Sequence, residues 1–177
     1  MRAAIASSAA QPRVYAPAVA PTGRLLVLVL LASACSDDGT AAPQNVITID
    51  GETYGYDDPA QGSIVCRSQP PTYWVQLLRV VGTGDLLASD LYVNMGAATA
   101  PAAGTYTLVP SPTIPTAAGV AAINLAVPDI AGTIRAQGGT LTVSYDGAHP
   151  WFDWHDVAGL DDVDGLTRTI AGHVGCP

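Results

Sequence analysis

The chain of 177 residues contains no lysine, and Glu52 is its only glutamate. All seven basic residues are arginines, and 15 acidic residues outweigh them, so the formal net charge is −8. This shortage of positive charge argues against electrostatic binding to nucleic acid or to an anionic membrane surface. The sequence also lacks Gly-x-Ser-x-Gly, His-Glu-x-x-His and Gly-rich phosphate-binding motifs. These absences favour a protein that is not an enzyme.

A short apolar stretch near the N-terminus is too short to be a transmembrane helix. Leu25–Ala34 carries no charge and spans ten residues, whereas a bilayer-spanning helix needs roughly 20 apolar residues. Arg24 precedes the stretch, and the small residues Ser33 and Ala34 end it. A basic flank, a short apolar region and small residues at its end are typical of a cleaved signal peptide.

Cys35 follows this stretch directly and is followed by Ser36. The layout resembles the signal of bacterial lipoproteins, although Ala32 stands where leucine is usual three residues before the cysteine. The resemblance implies that Cys35 becomes the first mature residue and carries a lipid. It implies a lipid-anchored protein of the bacterial cell envelope, with the membrane as a partner, and Ser36 resembles the residue that sorts lipoproteins to the outer membrane. An ordinary secretory signal with a coincidental cysteine is the alternative.

These features divide the chain into three parts. We expect a lipoprotein signal peptide in 1–34, a flexible tether in 35–45 and a single β-domain in 46–177. The mature part keeps four arginines against all 15 acidic residues, a formal charge of −11. Its size suits one domain.

Two cysteines remain when Cys35 is assigned to the lipid. Export places Cys66 and Cys176 in an oxidising compartment, where two thiols in one small domain usually form a disulfide. The closed loop has about 110 residues, for which the chain-entropy model gives roughly 4 to 5 kcal/mol. Two free buried thiols or half of a metal site are the alternatives, and the absence of a Cys-x-x-Cys motif disfavours a zinc ribbon.

Short strand signals recur along the mature part, separated by Gly, Pro and Asp clusters. In Thr140–Tyr145, for example, apolar residues alternate with threonine and serine. No 12-residue window free of Gly and Pro shows a helical period. The pattern predicts an all-β fold, an antiparallel β-sandwich or barrel of about 8–10 strands. The expected strands are Val46–Asp50, Ser63–Arg67, Tyr73–Val81, Leu86–Met95, Thr105–Val109, Val120–Val127, Gly132–Arg135, Thr140–Tyr145, Trp151–Val157 and Leu166–Val174.

The second half of the chain has a further, looser resemblance. Ala103–Leu108, Gly138–Val143 and Thr169–Val174 read Ala-Gly-Thr-Tyr-Thr-Leu, Gly-Gly-Thr-Leu-Thr-Val and Thr-Ile-Ala-Gly-His-Val. Together they resemble β-domains of uncharacterised bacterial lipoproteins. The resemblance implies β architecture and no particular activity.

The segment His149–Val157 is the strongest candidate for a ligand-binding patch. On a strand, side chains alternate between the two faces. The larger apolar pair is expected in the core, which leaves a partly exposed tryptophan beside polar groups, suited to stacking on a sugar or a peptide. The outward face is predicted to carry Trp151, Asp153, His155 and Val157, and the inward face Phe152, Trp154 and Asp156.

The histidines also support an alternative, a small metal-dependent protein or enzyme. Its site would combine His149, Asp153, His155 and His173, since histidine and aspartate ligate transition metals. His149 and His155 would lie near 20 Å apart along an ideal strand, so Pro150 would have to bend the chain sharply. Convergence of these side chains on one point would favour the metal site.

Two acidic segments complete the candidates. Asp161, Asp162 and Asp164 precede Gly165 and resemble the end of an EF-hand loop, but the remaining ligand positions do not fit. They are candidate ligands for weakly bound calcium, with a solvated turn as the alternative. Tyr54–Asp58 is acidic and aromatic, which suits either a sugar-stacking surface or an ordinary β-turn, and we predict the turn. The sequence as a whole predicts a lipid-anchored binding or structural module with an envelope protein or glycan as partner.

Overall fold

The computed structural model describes residues 44–82, 84–111 and 114–177. The expected signal peptide, Cys35 and the tether up to residue 43 lie outside the described residues. Strands dominate the described part. They are, in chain order, β1 (Val46–Ile49), β2 (Glu52–Gly55), β3 (Gly62–Gln69), β4 (Thr72–Val81), β5 (Asp85–Asn94), β6 (Gly104–Leu108), β7 (Val120–Leu125), β8 (Ile134–Ala136), β9 (Thr140–Asp146), β10 (His149–Asp161) and β11 (Thr167–Gly175).

The predicted all-β class is confirmed, and the described residues contain no helix. Eleven strands form one sheet, slightly more than expected, because β2 lies where the sequence suggested only a turn. Asp50 and Gly51 have φ values of 51° and 88°, which suit the two-residue turn that joins β1 to β2 in a hairpin. Tyr54 lies on β2 and Tyr56 directly after it, and both are buried in the core, so the prediction of a turn at Tyr54–Asp58 was wrong.

The sheet order explains how a single sheet encloses a core. The strands follow the order β2-β1-β11-β10-β9-β6-β7-β5-β4-β3, and β8 pairs with both β7 and β10. The strands β7, β8, β10, β9 and β6 therefore close into a ring, with further strands on either side. All pairs are antiparallel except β6 with β7, which run parallel. The result is the expected sandwich-like or barrel-like architecture.

Alternation along the strands fills the interior. Strand β9 buries Leu141 and Val143 and exposes the threonines between them, as the sequence pattern predicts. The largest fully buried side chains are Trp154 and Phe152 on β10. Aliphatic side chains from both halves of the sheet surround them, so the core is continuous.

A β-bulge in β10 changes which face its side chains occupy. The pairing of β10 with β11 shifts register between Trp154 and Val157, and Asp156 has a φ of 50°. One extra residue reverses the inward and outward faces beyond that point. Val157 is therefore buried and Asp156 is exposed, so the predicted faces of these two residues were wrong. The bulge lies where β10 leaves β9 and pairs with β8.

A disulfide joins distant strands of the sheet. The predicted Cys66–Cys176 bridge is present, with Cα atoms 5.9 Å apart. It links edge strand β3 to the chain directly after β11. Nearby in the same gap, Arg79 on β4 donates a hydrogen bond of 2.9 Å to the Gly55 carbonyl on β2. These two links hold together parts of the curled sheet that share no ladder of backbone hydrogen bonds.

In the part of the chain that the structure describes, no helix is long and apolar enough to cross a membrane.

Candidate functional site

The predicted patch on β10 has the expected burial up to the bulge. Trp151 and Asp153 are half-buried, whereas Phe152 and Trp154 are buried. His155 is exposed at the bulge. Alternation thus placed the tryptophan correctly, but the patch as a ligand site remains a prediction.

The patch residues Trp151 and Asp153 on β10 are held in place by contacts with the neighbouring strand β11. The Trp151 indole lies over Gly175, where an added Cβ would come within 2.7 Å of its ring. The His173 ring stacks on Trp151, with centroids 4.5 Å apart and planes at 17°. His173 Nδ1 also forms a hydrogen bond with Asp153 Oδ1. Trp151, Asp153 and His173 therefore form one cluster of contacting side chains. In this cluster His173 takes the place that the sequence analysis gave to His155.

The alternative metal site would need more ligands than this pair. Among residues 44–82, 84–111 and 114–177, no group of three or more His, Cys, Asp and Glu side chains lies close enough together to hold a metal ion. Asp153 and His173 meet, but His149 is exposed at the start of β10 and His155 at the bulge. The geometry thus lacks the convergence that would favour a metal-dependent centre.

The carboxylates considered for calcium are engaged by donors of the protein. Asp161 is buried, and its Oδ1 accepts a hydrogen bond from the Val163 amide. Asp162 accepts from the Thr133 amide and from Arg135, at 2.7 and 2.6 Å. Asp164 accepts from the Leu166 amide and from Arg168, both at 2.7 Å. These bonds fix the β10–β11 turn and give all three side chains a structural role.

A small pocket lies beside the first described residues of the chain. Asn45, Asp57, Trp151 and Cys176 are among the residues that line its volume of about 300 Å³. Asp57 accepts hydrogen bonds from the backbone amides of Gln44 and Asn45 and from the Asn45 side chain. Partial burial opposes the effect, but these bonds together lower the pKa of Asp57.

Asn45 also accepts a hydrogen bond of 2.7 Å from the Gly175 amide. The start of the domain is thus fastened to the end of β11. The pocket therefore lies where the N-terminal end of the domain packs against the end of β11.

A wide groove lies on the outer face of the sheet, at the turn between β3 and β4. We call it the aromatic groove, and its volume is about 630 Å³. Its lining consists of Trp74, Tyr92, Thr72, Ile114 and the turn residues Gln69, Pro70 and Pro71. The Pro70–Pro71 peptide bond is cis. This volume lies within the range of small-ligand sites, roughly 300 to 1,000 Å³.

The two aromatic rings of the groove occupy neighbouring strands. Trp74 on β4 and Tyr92 on β5 are register partners, and their ring planes differ by only 11°, with centroids 6.3 Å apart. Val75 and Leu77, and Leu91 and Val93, face the core, so alternation turns Trp74 and Tyr92 outward. Both rings remain half-buried.

Asp90 fixes the rings in place. Its Oδ1 accepts a hydrogen bond of 2.8 Å from Trp74 Nε1 and one of 3.3 Å from Gln76 Nε2. Burial, followed by the nearby Asp90 carboxylate, raises the pKa of Tyr92. On the other side of Trp74, the Arg67 guanidinium lies 5.5 Å from the centre of the indole ring. Contacts with Asp90 and Arg67 therefore position the indole of Trp74 in the groove.

The sequence analysis missed this groove, although the alternation of residues in β4 and β5 indicates it. Val75 and Leu77 alternate with Trp74 and Gln76, and the same period in β5 leaves Asp90 and Tyr92 outward. An outward tryptophan on one strand and an outward tyrosine on the next indicate an exposed aromatic pair once their register is known. The register became known only from the pairing of β4 with β5 in the structure.

Comparisons of this chain with protein-family models, with curated proteins and with solved structures found no match.

Proposed function

We propose that this protein is a lipid-held binding module of the bacterial envelope, and that it binds its ligand in the aromatic groove. In this proposal Cys35 carries the anchor and the β-domain presents the groove outside the cytoplasm. The Cys66–Cys176 disulfide supports the location, since such bridges form and persist in oxidising compartments.

The observation that carries the binding proposal is the fixed arrangement of Trp74 and Tyr92. A binding surface that is already ordered loses less side-chain entropy when the ligand arrives. Asp90 supplies this order through its hydrogen bond to the indole. The groove also has the size of a small-ligand site. These features favour recognition of a ligand, as the sequence suggested, over chemistry at a catalytic centre.

The anchor has its own test. Each buried lipid methylene contributes about 0.8 kcal/mol, and two or more acyl chains give stable attachment where one does not. The Cys35→Ser variant should therefore leave the membrane fraction or accumulate unprocessed, when cells are fractionated and the protein is detected by immunoblot. Normal processing and membrane fractionation of this variant would contradict the lipid anchor.

Binding is tested by co-sedimentation of the detergent-solubilised full chain with washed bacterial envelopes whose membranes have been extracted with the same detergent, so that the acyl chains of the anchor have no bilayer to enter. We expect the wild-type protein to sediment with the envelopes, and we expect Trp74→Ala and Tyr92→Ala to reduce the bound fraction. Leu86→Ala is the matched control, because Leu86 is 60% exposed on β5 and lies outside the groove lining. Equal binding by wild type and both groove variants would refute the assignment of binding to this groove.

A further inference from the structure

We infer that the aromatic groove takes an uncharged carbohydrate chain. This inference rests on the proposed function and names the chemical class of the ligand. A pyranose ring has an apolar face of C–H groups and a rim of hydroxyls, so its site must offer both an aromatic surface and hydrogen-bonding side chains.

The apolar requirement is met by two rings on adjacent strands. Trp74 and Tyr92 are nearly parallel, with centroids 6.3 Å apart. Aromatic side chains bury a large area at low conformational cost, and they combine this area with a polar group at one edge. Ile114, which is 48% exposed, extends the apolar lining on the far side of the groove. The groove lining therefore combines two aromatic side chains with one aliphatic side chain.

The polar requirement is met by Gln69 in the groove lining and by two side chains beyond the rings. Gln76 and Asp90 are register partners on β4 and β5, one alternation step along from Trp74 and Tyr92. Both are half-buried rather than enclosed. A carboxylate accepts hydrogen bonds, and an amide side chain both donates and accepts them. Gln69 is exposed and would meet the hydroxyl groups of a sugar seated in the groove, whereas Gln76 and Asp90 lie outside the lining and would meet only hydroxyl groups that extend past the rings.

The charge of the domain selects against an acidic chain. The mature part has a formal charge of −11, and Asp90 places a carboxylate beside the rings. Arg67, a cation beside the groove, already lies against the Trp74 ring. An anionic polysaccharide would meet like charge on the domain as a whole. A neutral glycan avoids this cost and keeps every contact of the groove.

The inference is tested by isothermal titration calorimetry on the full chain in detergent micelles. The probes are cello-oligosaccharides and N-acetylated chito-oligosaccharides, which are neutral, and oligogalacturonates, which are anionic. We expect at least one neutral series to bind, and we expect Trp74→Ala to weaken that binding by roughly tenfold or more, the change that 1.4 kcal/mol of lost contact gives. Oligogalacturonates should bind more weakly than the neutral series.

Three further variants separate the groove from the fold. Ile114→Asp adds a charge to the lining without changing a strand and should also weaken binding. Trp74→Phe keeps a ring but loses the donor to Asp90, so its affinity should lie between those of wild type and Trp74→Ala. Leu86→Ala should bind like wild type. Near-ultraviolet circular dichroism checks that each variant is folded.

The outcomes distinguish this inference from the proposed function. The protein could bind envelopes through Trp74, lose this binding when the envelopes are treated with protease, and bind none of the oligosaccharides. That combination would overturn the inference of a carbohydrate ligand and indicate a protein ligand. Equal or tighter binding of oligogalacturonates would overturn the preference for a neutral chain. Failure to bind both envelopes and oligosaccharides would defeat the proposed function as well.

Discussion

Replacing Gly172 by alanine should strongly destabilise the protein. Gly172 on β11 pairs with Trp154 on β10, and the indole lies directly over the glycine. An added Cβ would stand 2.1 Å from Trp154 Cζ2 and 2.3 Å from Cη2. Carbon atoms pack best at about 3.5 to 4.0 Å, so the ring would have to move by more than an ångström.

The magnitude follows from what surrounds the ring. Trp154 is 1% exposed and Phe152 beside it on β10 is fully buried, so little room exists for displacement. Overpacking of this kind costs about 1 to 3 kcal/mol, and complete loss of the tryptophan's packing costs about 3 to 5 kcal/mol. Alanine in place of a strand glycine would otherwise stabilise by roughly 0.5 to 1 kcal/mol. We expect a net loss of about 3 kcal/mol.

Urea unfolding with the disulfide intact measures this loss. Ala158→Gly is the control, because Ala158 is exposed on the neighbouring strand and reports the backbone effect alone. In the double variant, Trp154→Leu should cost less when Gly172→Ala is already present than in the wild-type protein, since the clash has gone. A Gly172→Ala protein as stable as wild type, or more stable, would refute the packing argument.

Three further outcomes are expected. Replacing both Cys66 and Cys176 by alanine should lower the free energy of unfolding by about 4 to 5 kcal/mol, by the chain-entropy estimate for a loop of this length, measured in urea. The pKa of Asp57 is lowered in the folded protein, so the carboxylate stabilises the fold at pH values above its ordinary pKa of 3.8. This contribution is lost as the pH falls through the lower pKa of the folded state. Asp57→Asn should therefore make the free energy of unfolding depend less on pH in the acid range. His173→Ala should increase acrylamide quenching of Trp151, measured in a variant whose other tryptophans are phenylalanine, because it removes the stacked ring; unchanged quenching would count against that contact.

Local alternation predicted much of the fold. The pattern in Thr140–Asp146 places Leu141 and Val143 inward, and this period depends only on neighbouring residues. The hairpin that contains β2 was missed, although Asp50-Gly51 is a strong signal for a two-residue turn. The bulge after Trp154 was not predictable by the same reasoning, since it depends on β10 changing its partner from β9 to β8.

The candidate sites show the same division between local and long-range information. Burial of Phe152 and partial exposure of Trp151 followed from alternation. The stacking of His173 on Trp151 required the register of β10 with β11, which is set by residues about 20 positions apart. The aromatic groove likewise required the register of β4 with β5.

The disulfide has a consequence for resistance to proteolysis. The bridge spans 110 positions of the chain, and strands β4 to β11 all lie between its two cysteines. A protease that cuts one loop in this interval leaves both pieces covalently joined, and the sheet keeps them paired. After a cut between β1 and Cys66, by contrast, no covalent bond joins β1 to the rest of the domain, and only its pairing with β11 holds it there. Resistance to proteolysis therefore depends most on the interval from β1 to Cys66, which the disulfide does not enclose.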